Sequence, residues 1–93
     1  LMARKPGGVR ALIIAPTREL AEQTHQAIET LGRKTRVKSV TVYGGVGIQP
    51  QIQRLRRADI VVACPGRLLD HIGRRTIDLS RLEVLVVDEA DQM

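Results

Sequence analysis

The sequence contains no tryptophan and no phenylalanine, and Tyr43 is its one tyrosine. Any core must therefore be built from aliphatic side chains. Apolar residues make up 43%, mostly Val, Leu, Ile and Ala, which is too high for a disordered chain. One cysteine, Cys64, excludes an internal disulfide and a Cys-rich metal site, and fits a reducing cytoplasmic setting. No apolar run approaches the ~18 residues of a membrane-spanning helix, so no membrane partner is expected. There is no signal-peptide pattern. No Gly-Lys pair occurs, which excludes a glycine-rich phosphate loop of the form G-x-x-x-x-G-K-[ST]. The stretch "GRKT" at 32–35 is a decoy: it ends a helix and precedes a strand, whereas such a loop does the reverse. The chain opens on Leu1, so its natural start is expected upstream.

Ninety-three residues suffice for one small domain. A chain of that size buries only about 60–65% of its unfolded surface, so modest stability is expected. The net charge is +5 and Arg far outnumbers Lys. Arg binds phosphate through a planar fork, so nucleic acid is the first partner to consider. A solvated basic surface is the alternative.

Four strands are expected. Residues 11–15 ("ALIIA") form a continuous apolar run, the pattern of a strand buried on both faces. The others are 37–43, 59–63 and 83–87. Between them, Leu20, Ala21, Thr24, Ala27, Ile28 and Leu31 predict a helix over 18–31, with Thr17 as N-cap and Gly32 as its stop. Ile48, Ile52 and Leu55 mark a shorter helix, with Pro50 tolerated in its first turn. Leu68, Leu69 and Ile72 mark a third, opened by Pro65 and closed near Gly73. Residues 74–81 read as a connection with one helical turn. This alternation predicts an α/β fold: a parallel four-stranded sheet with flanking helices and right-handed crossovers.

In such sheets ligands bind beyond the carboxyl ends of the strands. Each strand runs into a suggestive segment there: "PTREL" (16–20), "YGG" (43–45), "CPGR" (64–67) and "DEAD" (88–91). At "PTREL" a helix begins, and its unpaired N–H groups suit a phosphate. Arg18 in the first turn opposes the helix dipole, a penalty an anion would offset. The plain alternative is an N-cap at Thr17 with Arg18 in solvent. "CPGR" repeats the design, with Gly66 permitting close approach of a ligand backbone; a well-made helix start is the plain alternative. Gly44, Gly45 and Gly47 make a loop without side-chain bulk, either a tight turn or a surface touched by a polymer. In "DEAD", one carboxylate can hold Mg²⁺ through its water shell and a neighbour can orient an attacking water. A chance acidic turn is the alternative.

Together, "PTRELAEQ", "GG", "PGR" and "VLVVDEAD" closely resemble the first RecA-like domain of a DEAD-box ATP-dependent RNA helicase, over almost the whole chain. The resemblance implies that residues 1–93 are a partial RecA-like (P-loop NTPase) domain lacking the P-loop strand. It implies that Asp88 binds the Mg²⁺ on the nucleotide phosphates, that Glu89 positions the hydrolytic water, and that Asp91 links the nucleotide site to other motifs. Pro16, Thr17, Arg18, Glu19, Gly44, Gly45, Pro65, Gly66 and Arg67 would line a track for the RNA sugar-phosphate backbone, without base reading. The family usually has Thr where this chain has Cys64, a weak donor, so one RNA contact would be weaker; a buried strand-end thiol without that duty is the alternative, and the preferred one.

The resemblance further implies the strand order fourth, first, third, second. The sequence is then expected to be an internal piece of a helicase. Its parent would use ATP and Mg²⁺, while the fragment alone would bind neither cofactor and be inactive. Strand 83–87 becomes a bare apolar edge, for which self-association is expected. A weak stand-alone single-stranded RNA-binding module is the second reading. A phospho-receiver-like domain is disfavoured, for it wants an early acidic pair and a late Lys. His25 and His71 fall off the apolar stripes and are expected to face solvent. Arg54, Arg56 and Arg57 suit a helix C-terminus, with a distant RNA contact as the alternative.

Overall fold

The computed structural model describes residues 8–88. Seven elements alternate: β1 (Ala11–Ile14), α1 (Arg18–Leu31), β2 (Ser39–Val42), α2 (Ile48–Leu55), β3 (Ile60–Ala63), α3 (Pro65–Arg74) and β4 (Val84–Val87). The strands form one parallel sheet in the order β2-β3-β1-β4. This is the expected order, and each strand is one to three residues shorter than the sequence suggests.

Right-handed crossovers dictate the layers. The step from β1 to β2 and the two later steps run in opposite directions across the sheet, so α1 covers one face and α2 with α3 cover the other. Alternation along the strands then splits the core in two. Leu12, Val42, Val61 and Ala63 point toward α2 and α3, where they join Val9, Leu55, Ala58 and Leu68. Val62 points toward α1, where it joins Ala15 and Ala21, flanked by Ile13, Leu20, Ile28 and Tyr43. Ile77, Leu79 and Leu82 close the larger core from the connection to β4. That connection contains no helix. Arg75 terminates α3 in the left-handed region at φ 60°.

Three expectations need correction. First, the inner face of α3 carries Leu68 and His71, while Leu69 and Ile72 are 66% and 43% exposed. Second, His71 is fully buried. Its ring nitrogens lie 2.6 Å from Thr76 Oγ1 and 2.9 Å from Gln51 Oε1, so a polar ring sits at a core position because both nitrogens are paired. Third, His25 is half-buried, 2.9 Å from Ser39 Oγ and 3.4 Å from Glu29 Oε2.

The buried ring makes stability depend on pH. Burial, then Arg67, holds the pKa of His71 below its ordinary 6.5, with Asp70 opposing and Arg74 assisting. The unfolded chain therefore binds the proton first as pH falls. Stability is complete above about pH 6.5 and declines as pH falls from there toward the folded value. Thermal unfolding of wild type and His71→Gln between about pH 8 and 5 checks this. The Tm difference between the two should shrink with acidification, and a constant difference would contradict it.

Candidate nucleic-acid interface and acidic site

Parallel pairing brings all four strand tips to one rim, in the order of the sheet. Backbone bonds stitch the tips together: Ala15 N–H donates to Ala63 O, Cys64 N–H to Val42 O and Asp88 N–H to Ile14 O, at 2.8, 2.9 and 2.8 Å. At the β1 tip, Thr17 Oγ1 caps α1 by accepting from Leu20 N–H at 3.1 Å. Pro16, Thr17, Arg18 and Glu19 are exposed there, as are Gly44, Gly45, Pro65 and Gly66 at the neighbouring tips.

The two rim arginines converge on the glycine loop. Arg18 Cζ stands 5.0 Å from the centre of the Tyr43 ring, a cation–π contact. The Tyr43 hydroxyl donates in turn to Glu22 Oε2. That bond, with burial, pushes the phenol pKa up, so the hydroxyl keeps its proton. From the other side Arg67 Nη1 donates to Val46 O at 3.2 Å. Gly45 adopts φ +86°, and a Cβ there would sit 3.0 Å from Arg18 Nη1. A side chain at Gly45 would thus be strained by its backbone and would crowd the arginine. Arg18 and Arg67 flank a bare backbone loop, with two helix N-termini beside it.

Cys64 occupies the N-cap position of α3 with extended backbone (φ −86°, ψ 146°) but makes no side-chain cap bond. Burial, then the Glu19 carboxylate, pushes its thiol pKa up against the pull of Arg18, so it stays a neutral thiol. Cys64→Thr should supply the missing cap, raising stability by about 1 kcal/mol and Tm by about 5 °C. A melting curve checks this. An unchanged or lower Tm would mean the hydroxyl cannot reach the α3 amides.

Asp88 lies at the β4 tip, beyond the arginines. By register it follows Val87, which pairs with Ile14. Its side chain turns to the α1 face, where Thr24 Oγ1 donates to Oδ2 at 3.2 Å. A half-buried carboxylate steadied by one hydroxyl suits Mg²⁺, which keeps several waters and takes one or two protein carboxylates alongside phosphate oxygens. Glu89 and Asp91 lie outside the described residues. Among the described residues no group of three or more His, Cys, Asp or Glu is placed to hold a metal. Arg54, Arg56 and Arg57 fall at the opposite pole, where α2 ends and β3 begins.

Sequence reasoning missed Gln51, Tyr43, Thr24 and the inward role of His71. Gln51 left a signal: it sits three residues after Ile48 and four before Leu55, on the apolar stripe of α2. A polar residue at a core position is informative in itself.

A model of the DEAD/DEAH box helicase family matches residues 1–93. The chain belongs to that family. Among its relatives, a probable ATP-dependent RNA helicase of Methanocaldococcus jannaschii is 45% identical over 92 residues, covering 99% of this chain and 25% of the relative. The ATP-dependent RNA helicase CshA of Listeria monocytogenes is 50% identical over 91 residues, covering 97% and 18%. A crystal structure of a hypothetical ATP-dependent RNA helicase from Sulfolobus tokodaii superposes with TM-score 0.84 at 49% identity, covering 92% of this chain and 26% of that one. A yeast DEAD-box splicing factor gives TM-score 0.86 at 31% identity, covering 99% and 23%. The DEAD/DEAH box chain thus spans about a quarter or less of the proteins it matches. Its sheet is the RecA-like one of these helicases.

Proposed function

We propose that these residues supply the RNA-backbone track and part of the nucleotide site of an ATP-dependent RNA helicase. The observation that carries this is the convergence of Arg18 and Arg67 on the Gly44–Gly45 loop, with Asp88 one strand further along the same rim. The arginines and helix N-termini offer charge and donors to phosphates. The exposed glycines let a sugar-phosphate chain lie against backbone. No base-reading groove is needed, so binding is sequence-independent. Asp88, steadied by Thr24, would hold Mg²⁺ through water, and the metal would neutralise charge on the ATP phosphates. From the resemblance, Glu89 positions the attacking water and Asp91 couples the site to other motifs.

Titration of the intact protein with single-stranded RNA at several salt concentrations tests this. Expected is salt-sensitive binding indifferent to base sequence. Strong base preference, or no binding at low salt, would oppose it.

The 93 residues alone are proposed to be inert, because the sequence has no phosphate cradle. ATP hydrolysis by the purified chain that disappears with Glu89→Gln would refute this. Measurable, salt-sensitive RNA binding by the isolated chain, even as weak as about 10⁻⁴ M, would favour the stand-alone module instead. The isolated chain is also proposed to self-associate through β4, whose four residues are 42–58% exposed. Light scattering should show a concentration-dependent mass, and a monomer at all concentrations would rule that out.

A further inference from the structure

Among the described residues, Gln51 and His71 are the buried polar ones, at 3% and 0% exposure. They lie on different helices directly beneath the glycine loop, and all their polar atoms are engaged. Gln51 Nε2 donates to Tyr43 O at 2.8 Å, and Tyr43 O can only accept. Gln51 Oε1 receives Arg67 Nη1 at 3.1 Å, and a guanidinium can only donate. Each end of the amide is thus fixed independently. The second lone pair of Oε1 faces His71 Nε2 at 2.9 Å, so that nitrogen must carry the proton. His71 Nδ1 is then the acceptor for the Thr76 hydroxyl at 2.6 Å. Flipping the amide would set its NH₂ against the Arg67 guanidinium and its oxygen against a carbonyl.

We propose that Gln51 and His71 are positioning residues for Arg67 and for the glycine loop. The amide oxygen of Gln51 holds the Arg67 guanidinium, its NH₂ holds the loop at Tyr43 O, and His71 braces that oxygen by donating to its second lone pair. Gln51 is the buried one of Arg67's partners: Val46, which accepts at 3.2 Å, is 45% exposed, and Asp70 Oδ2 lies 3.8 Å away. The arginine and the loop backbone therefore reach the RNA as one preformed unit, and its ordering entropy is settled before binding. This inference rests on the RNA-track reading.

A double-mutant cycle in the intact protein tests it. Gln51→Leu and Arg67→Ala should each weaken single-stranded RNA binding about tenfold. The double variant should lose clearly less than the product of the two single losses, because Gln51 acts in large part through Arg67. Losses that multiply to about a hundredfold, or a folded Gln51→Leu protein with wild-type affinity, would overturn the proposal. If Gln51→Leu does not fold, His71→Phe, which keeps ring shape and removes the Nε2 proton, enters the cycle with the same criterion. If Arg67→Ala binds RNA like wild type, the track reading fails at that residue. The ¹⁵N spectrum of the His71 imidazole then decides the positioning claim separately: an Nε2–H ring in wild type that changes in Gln51→Leu supports it, and an Nδ1–H ring overturns it.

Discussion

Arg18→Glu combined with Arg67→Glu is expected to abolish RNA binding by the intact protein. A hydrogen bond involving a charged group contributes about 1.5–3 kcal/mol, so losing two contacts weakens binding about 10²–10⁴-fold before any repulsion is counted. Each replacement carboxylate then faces a phosphate beside the glycine loop. The salt dependence should flatten as well, by roughly 0.7 per lost contact on single strands. A second double variant, Arg54→Glu with Arg57→Glu, makes the same change in net charge. Those residues sit where α2 ends, at the opposite pole from the rim. At about 0.1 M salt the screening length is about 10 Å, so they act on the rim only weakly. Anisotropy titrations of both variants separate track from general charge. Equal losses would mean that net charge governs binding and that the rim has no special place in it.

Most of the architecture was legible in the sequence because it depends on patterns longer than any one residue. Four aliphatic runs, each followed by Gly, Pro or a carboxylate, determine a parallel α/β sheet and send the chemistry to one rim. What stayed hidden depends on how individual helices roll on the sheet. In α3, Leu68, Leu69 and Ile72 read as the inner stripe, yet Leu68 and His71 turn inward. Hydropathy cannot reveal that a histidine is buried, because its burial is allowed only by Gln51 and Thr76, which approach from other parts of the chain. Thr24 eluded notice for a similar reason. It sits on the apolar face of α1 as an ordinary small residue until β4 brings Asp88 to it, 64 positions later. Arg18 and Arg67 were legible as rim residues. Their meeting over one loop was not, since Gln51 carries no motif and "YGG" gives no sign that the Tyr43 ring would sit against Arg18.

Leu12→Ala is expected to remove most of the folded population. Leu12 is 3% exposed on β1, which is paired on both sides, with β3 and β4. It packs in the larger core with Val61, Leu55 and Leu68. Truncating such a leucine costs about 2–5 kcal/mol, part of it for the cavity left behind. A domain of about 90 residues has roughly 5–14 kcal/mol in total, and a small core without Trp or Phe belongs at the lower end. The backbone hydrogen bonds of the sheet leave β1 little freedom to collapse into the hole. Leu69→Ala deletes the same atoms from the outer side of α3 and should change stability by no more than about 0.5 kcal/mol. Urea unfolding of both variants, at concentrations where the chain is monomeric, measures the contrast. The midpoint should fall by more than about 1 M for Leu12→Ala and barely move for Leu69→Ala. Equal shifts would place Leu69 in the core and reinstate the inner stripe that hydropathy alone suggests. His71 would then lose its buried setting, and with it the grip on Gln51 and Arg67 that steadies the rim.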